Sequence, residues 1–299
     1  MSYKIAIASG KGGTGKTTVS VNLFKGFNEL RGKKVQLVDC DVEEPNDAIF
    51  FCDAEVVDVQ EVSQMVPVID SGKCTFCRKC VEYCEFNAIV VLPPVPFAEI
   101  NPSLCHSCGA CSVACEDGAI TEHPKPIGTL NFYKTDENNG LVEGRLEIGS
   151  TMQTMLIREL KKAIPGINDI IIYDAPPGTS CPVVETIHDV NYLLLVAEPT
   201  LFGLHDLRLM VALVRELGLE FGVVINKVGL GDNAIYDYLD KECIEVLGEI
   251  PFDKEYASLY AVGEITGVIP DAIHQSYTEI LDVLNQKITQ HEGNNRIKW

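Results

Sequence analysis

Eight of the twelve cysteines in this 299-residue chain fall into two runs of identical spacing. The first is Cys74-x2-Cys77-x2-Cys80-x3-Cys84, and the second, 31 residues on, is Cys105-x2-Cys108-x2-Cys111-x3-Cys115. Both runs end in Cys-Glu-x-x-Ala-Ile, at Cys84–Ile89 and Cys115–Ile120, so the block from about Gly72 to Thr121 is an internal repeat. Thiolates are soft ligands suited to iron and its sulfides. Zinc also accepts four thiolates, but tight three-cysteine runs with a remote fourth favour an iron–sulfur cubane over a pair of zinc sites.

The rest of the composition narrows the setting. Hydrophobic residues make up 46% of the chain, enough for a sizeable core, and the net charge is −19. Nucleic acids and anionic membrane surfaces are held through Lys and Arg, so this balance argues against both as partners. The first apolar run, Ile5–Ala8, is too short for a signal peptide, and no run reaches the length of a bilayer span. A cytoplasmic protein is expected, and there twelve cysteines are poor disulfide candidates. The tail Asn294–Trp299 is too short for a membrane-binding amphipathic helix, and disorder is expected for it.

Strand and helix signals alternate on either side of the cysteine block. Strands are expected at Lys4–Ala8, Lys34–Asp39, Asp169–Tyr173, Tyr192–Ala197, Phe221–Ile225 and Ile244–Ile250. Helices are expected at Thr17–Leu30, Met152–Ala163, Leu204–Leu217 and Ala272–Thr289, the first with Val19, Leu23, Phe27 and Leu30 on one side. Residues 52–70 read as strand-like, and 123–148, rich in Pro, Gly and Asn, as an irregular return containing some β structure. The pattern implies an α/β fold with a mainly parallel sheet and helices on both faces. The cysteine block interrupts it. A host domain is therefore expected over 1–70 and 123–299, with a small α+β domain inserted at 71–122.

Gly10-Lys11-Gly12-Gly13-Thr14-Gly15-Lys16-Thr17-Thr18 lies between an apolar strand and a helix, the setting a phosphate-binding loop requires. Its glycines let backbone N–H groups close on phosphate oxygens, and the helix N-terminus adds a favourable dipole. Lys16 is expected at the β- and γ-phosphates, and the Thr17 hydroxyl on Mg²⁺.

The second lysine of this loop, Lys11, makes it resemble the deviant Walker A motif of the MinD, ParA, Mrp and nitrogenase-iron-protein class of ATPases. The resemblance covers residues 1–50 and about 145–290. It implies Mg²⁺-dependent ATP hydrolysis in a homodimer that sandwiches two nucleotides, with Lys11 reaching the partner's nucleotide to stabilise transition-state charge. Leu37-Val38-Asp39-Cys40-Asp41 resembles the first switch, with Asp41 for the attacking water and Asp39 in the metal shell. Ile170–Gly178 resembles the second switch. There Asp174, ending a buried strand, would find its partner in Mg²⁺, and the Gly178 N–H would approach the γ-phosphate. Asn226 resembles the residue that reads the adenine edge, and Pro251-Phe252 the loop that closes over the base.

The cysteine block resembles bacterial-type ferredoxins, in which the fourth cysteine of each run ligates the other run's cluster. The resemblance assigns Cys74, Cys77, Cys80 and Cys115 to one [4Fe–4S] cluster and Cys105, Cys108, Cys111 and Cys84 to the other. Glu85 and Glu116 stand where ferredoxins have proline. Cys181 follows Asp174 by seven positions, the offset of a cluster cysteine in the nitrogenase iron protein, and reads either as a small residue at a helix start or as a ligand at a dimer interface. Cys52 and Cys243 are expected to be packing residues, Cys40 to be buried, and His106 to be a polar surface residue.

The combination resembles MinD-superfamily ATPases with an inserted ferredoxin domain. It implies a nucleotide-gated dimer that passes low-potential electrons to a protein acceptor or metalloprotein client during maturation of a metal cofactor or iron–sulfur protein. One alternative is an Mrp-like cluster carrier, against which the missing Cys-x-x-Cys after Cys181 counts. Another is a positioning ATPase of the MinD or ParA type.

Overall fold

The computed structural model describes residues 2–29, 33–135 and 139–296. In chain order the elements are β1 (Tyr3–Ala8), α1 (Lys16–Glu29), β2 (Val35–Asp39), β3 (Glu55–Ile69), α2 (Lys79–Glu82), β4 (Ile89–Leu92), β5 (Phe97–Ile100), α3 (Ala110–Ala114), β6 (Ile120–Lys134) and β7 (Gly140–Leu146). They continue with α4 (Gln153–Ala163), β8 (Ile170–Asp174), α5 (Cys181–Ile187), β9 (Tyr192–Ala197), α6 (Leu201–Glu216), β10 (Phe221–Val228), α7 (Ala234–Lys241), β11 (Val246–Pro251), α8 (Lys254–Ala261) and α9 (Asp271–Arg296). The chain divides into two compact units, one of Met1–Val59, Leu130–Arg145 and Ile157–Trp299, the other of Gln60–Thr129 and Leu146–Leu156.

The larger unit is built on a sheet with strand order β11-β10-β9-β1-β8-β2-β7, to which β6 and β3 are joined in turn. β1 pairs in parallel with β8 and β9, β2 with β8 and β7, and β10 with β9 and β11. Strands β1, β2, β8 and β9 are mostly apolar and almost wholly buried, as parallel strands covered by helices must be. Leu23, Phe24 and Phe27 of α1 and Ile280, Leu284 and Ile288 of α9 share one core with Ile5, Ile7, Leu37 and Ile172. Each such side chain contributes roughly 1.5–3 kcal/mol by leaving water.

Strand order reverses beside β1, where β8 lies on one side and β9 on the other. That is the point at which open α/β sheets bind ligands, outside the carboxyl ends of the strands. The phosphate loop leaves the end of β1, Asp39 ends β2, Asp174 ends β8, and Pro251 ends β11.

Several elements depart from the sequence expectation. Residues 123–148 are not an irregular return: they contribute most of a 15-residue strand, β6, and all of β7, which extends the parallel sheet beside β2. Pro124 and Pro126 obscured β6. Two residues apart, both withhold their N–H on the same strand edge, so a ladder on the other edge survives. The short helices α5, α7 and α8 were not foreseen. α8 is capped by Asp253, whose carboxylate accepts the Tyr256 N–H at 2.8 Å. Cys52 and Cys243 are exposed, not packed. Residues 294–296 continue α9, whereas Leu30 and 297–299 lie outside the described residues. No helix among the described residues is long and apolar enough to cross a membrane.

The smaller unit holds the cysteine block. β4 and β5 form an antiparallel pair with Ile89 opposite Ile100 and Leu92 opposite Phe97. Its apolar centre consists of Cys80, Ala88, Ile89, Val91, Cys105 and Cys111, with Phe76, Ile100 and Ile120 packed against them. So small a core supplies little folding energy alone, and ligation by its cysteines would add to it.

Candidate nucleotide cleft and cysteine sites

A cleft of about 1190 Å³ opens at the carboxyl ends of the strands. Gly12, Gly13, Gly15, Lys16, Thr17 and Thr18 line one side of it, with Asp41, Asn226, Pro251 and Phe252 also on its wall. Pro177, Lys227 and Asp253, together with Glu44, Asn46, Tyr256, Ala257 and Tyr260, which carried no motif in the sequence, complete the lining. Gly10, Lys11, Thr14, Asp39, Asp174 and Gly178 stand outside that lining.

The loop is fixed from β10. Asn226 Nδ2 donates to the Thr14 carbonyl at 2.7 Å, and Lys227 Nζ to the Gly13 carbonyl at 2.7 Å. A Cβ on Gly15, whose φ is +97°, would stand 2.2 Å from Asn226 Nδ2, so only glycine fits there. Asn226, expected to read the base, spends one amide hydrogen on the loop, and its Oδ1 accepts the Lys227 N–H at 2.9 Å. Gly178 donates its N–H to the Ser9 carbonyl at 3.0 Å, so in this arrangement it is not directed at a phosphate.

Beneath the loop lies a group of buried carboxylates. Thr17 Oγ1 donates to Asp174 Oδ2 at 2.7 Å. Asp39 and Asp174 are register partners across β2 and β8. Asp39 Oδ2 accepts the N–H groups of Asn46 (2.8 Å) and Asp47 (3.0 Å), and Oδ1 that of Asp41 (3.0 Å), so Asp39 anchors the whole loop after β2. Asp47 is the functional candidate that sequence reasoning missed; it follows no motif, and only the turn of the chain around Asp39 brings it in. Among the described residues, Asp39, Asp47 and Asp174 alone form a group of three His, Cys, Asp or Glu ligand atoms within 4.8 Å of one another. Both Asp47 oxygens and Asp174 Oδ1 are buried without a hydrogen-bond partner. An all-oxygen set of this kind, next to the Thr17 hydroxyl, suits a hard divalent cation such as Mg²⁺.

Burial, and then the charge of Asp174 on Asp39 and of Asp39 and Asp174 on Asp47, raises the pKa of Asp39 and Asp47 well above the usual carboxylate range. Burial also raises Asp174, against the pull of Lys16 and Thr17. Asp41 is pushed up to about 6 by burial and by the Asp174 charge. An acid whose folded pKa is raised binds more protons folded than unfolded, so its stabilising contribution is complete below pH ~4 and is lost as pH rises toward the folded value. In protein free of metal and nucleotide, Asp47→Asn is therefore expected to stabilise the fold by ~1–3 kcal/mol, more at pH 8 than at pH 5. Thermal melts at the two pH values check this, and a destabilisation that grows with pH would contradict it.

Lys11 is seated on its own chain. Its Nζ lies 2.5 Å from Glu198 Oε1, while Lys227 Nζ reaches Glu198 Oε2 at 3.2 Å and Thr200 Oγ1 donates to Oε1 at 3.3 Å. Burial of Glu198 opposes its charge, yet the bonds from Lys11 and Lys227 outweigh it and lower its pKa. Glu198→Gln is expected to raise acetylation of Lys11 severalfold in nucleotide-free protein, because a neutral amide holds an ammonium less tightly. Peptide mass spectrometry reads this directly, and unchanged labelling would mean that Glu198 does not restrain Lys11.

In the smaller unit the eight cysteines divide between two cavities. Cys74, Cys77, Cys80 and Cys115 line one of about 350 Å³. Cys84, Cys105, Cys108 and Cys111 line the other, of about 340 Å³. Each cavity thus draws three sulfurs from one run and the fourth from the other. Phe76 and Ala88 donate N–H groups to the sulfurs of Cys74 and Cys84 at 3.4 Å, and Ser107 and Ala119 do the same for Cys105 (3.4 Å) and Cys115 (3.3 Å). The backbone repeats too: φ is positive at Phe76, Arg78 and Asn87 and again at Ser107, Gly109 and Gly118. A zinc ion with ~2.3 Å bonds would draw its four sulfurs to within ~3.8 Å of one another. Among the described residues, no three cysteine sulfurs come within 4.8 Å of one another. N–H···S bonds and apolar walls are the surroundings that iron–sulfur clusters use.

Of the remaining cysteines, Cys40 is fully buried behind Asp39, and burial raises its thiol pKa. Cys181 is exposed at the first position of α5. His106 stacks on Phe86 with ring centroids 3.9 Å apart.

A phosphate loop between β1 and α1, facing a Thr–Asp pair at the sheet's switch point, defines a P-loop nucleotide-binding protein. More particularly, the chain belongs to the CobQ/CobB/MinD/ParA nucleotide binding domain family, which residues 5–266 match. An uncharacterised protein of Methanocaldococcus jannaschii is 33% identical over 87% of this chain and 90% of its own length. An iron–sulfur cluster carrier protein of Pyrococcus furiosus is 24% identical over 99% of this chain and 90% of its own. The septum site-determining protein MinD of Pyrococcus horikoshii, solved with Mg-ADP, matches with a TM-score of 0.57 at 19% identity, covering 95% of this chain and 96% of that one. This last likeness shows the shared fold.

Proposed function

We propose that this protein hydrolyses ATP to ADP and phosphate, and that it passes low-potential electrons through two [4Fe–4S] clusters to a protein partner in metal-cofactor or iron–sulfur protein maturation. The observation that carries the reading is the presence, in one chain, of a phosphate-loop cleft and two four-cysteine cavities. The N–H groups of Gly12–Thr17 and the Lys16 ammonium bind the β- and γ-phosphates. Thr17 and Asp174 would hold Mg²⁺, which supplies charge neutralisation at the phosphates when bound. Asp41 orients the attacking water, and Lys11 leaves Glu198 to reach the nucleotide of a second copy. Asn226, Pro251 and Phe252 bound the adenine. The eight cysteines would hold the clusters, which supply one-electron storage when bound. In this reading residues 71–122 are a ferredoxin-like insert in a host of 1–70 and 123–299.

Anaerobic ATP turnover with the clusters reduced and then oxidised, beside redox titration with and without nucleotide, tests the coupling. A change in rate or potential supports it, and identical values would leave two independent modules. A second reading, a cluster carrier, draws on the likeness to the Pyrococcus furiosus carrier. It predicts that iron leaves for an apo-acceptor as ATP turns over, whereas the electron-transfer reading predicts that iron stays.

A further inference from the structure

Because the two cysteine cavities are repeats of one another, each serves as the control for the other. Three charged residues, Arg78, Lys79 and Asp117, line the first cavity. Their counterparts 31 residues away are Gly109, Ala110 and Phe86, and these line the second. No Asp, Glu, Lys or Arg lines that second cavity. The contrast extends to the contacts. Thr75 Oγ1 donates to Asp117 Oδ2 at 2.7 Å across the first cavity, and at the equivalent positions of the second His106 stacks on Phe86. Glu116 and Glu85, one after each fourth cysteine, occupy equivalent positions and cancel in the comparison; Glu116 is paired with Lys79 at 2.7 Å. The first cavity is thus about one positive charge richer than the second. Arg78 holds its place in a left-handed conformation, φ +67°, where its counterpart is Gly109 with φ +74°. That conformation is unfavourable for any residue with a Cβ, so the arginine is kept against the local backbone preference. The N–H···S bonds are matched in number between the cavities and do not distinguish them.

Net charge and hydrogen bonds to sulfur set a cluster's potential, and positive charge favours the reduced form. We infer that the two sites are unequal, and that the one formed by Cys74, Cys77, Cys80 and Cys115 has the higher reduction potential, set by Arg78 and Lys79. This rests on the proposed function. The first electron supplied by an external reductant settles at that site, and the apolar second site is the harder one to reduce. Arg78 and Lys79 act through the cluster as tuning residues and need not touch a partner.

The test is a potentiometric titration with dithionite, followed by electron paramagnetic resonance, on anaerobically prepared full-length protein. Iron is counted first. Wild type is expected to reduce in two steps, with one signal in the singly reduced protein. Arg78→Gly with Lys79→Ala lowers the upper step alone and leaves the iron count unchanged; the glycine relieves backbone strain, so the fold is not at risk. The reciprocal Gly109→Arg with Ala110→Lys raises the lower step alone. Full iron with coincident wild-type steps, or an upper step unmoved by the first pair of substitutions, overturns the inference and leaves the proposed function standing. Wild type that takes up no iron overturns both.

Discussion

Replacing Lys16 with alanine is expected to reduce ATP hydrolysis at least ~100-fold while the protein remains folded, a loss typical of removing one preorganised group from developing charge. Lys16 is buried at the start of α1, yet its side chain lines the cleft between the glycine loop and Asn226. In the proposed reading its ammonium meets the phosphate charge that grows in the transition state, so most of the loss should fall on kcat. The Asp39–Asp47–Asp174 group supplies a second readout. Without the Lys16 charge, which lowers the Asp174 pKa, the apo protein should lose stability at neutral pH. Steady-state kinetics with a melting curve checks both. A Lys16→Ala protein with wild-type turnover would place hydrolysis elsewhere or in a contaminant.

Removing cysteines in pairs is expected to reveal how the sulfurs are shared. The two cavities predict that Cys77→Ser lowers bound iron from ~8 to ~4 per chain. Adding Cys115→Ser to it should cost nothing further, because both line the first cavity. Adding Cys84→Ser in its place should remove nearly all the iron, because Cys84 lines the second. Iron and sulfide analysis distinguishes the two doubles. If the pair Cys77 and Cys84 behaved as one site and Cys77 and Cys115 as two, each run would bind on its own and the crossed arrangement would fall.

The parallel strands were legible because burial on both faces leaves one solution, an unbroken apolar run such as Ile170–Tyr173. The glycine loop was legible because its chemistry is local: Gly15 and Lys16 are neighbours in the chain at the turn from β1 into α1. Asp47 was not. Its role depends on Asp39 collecting three backbone N–H groups and turning the chain back on itself, and nothing in the residues around Asp47 announces that fold. Glu198 was missed for the same reason, since its meaning lies in a contact with Lys11 across 187 positions of chain. The 123–148 segment misled because proline is read as a strand breaker, when its effect in a sheet depends on which edge has lost its donors.

The crossed ownership of sulfurs also bears on how such a protein is made. A nascent chain that has just exposed Cys74, Cys77 and Cys80 has three corners of a site, and its fourth, Cys115, has yet to be synthesised. The second site is symmetric in this respect, with Cys84 waiting for Cys105, Cys108 and Cys111. Neither cavity can close before the other half of the repeat exists. In the proposed reading, loading is thereby deferred until the second run has been made, and a product truncated before Cys105 would be unable to complete either site.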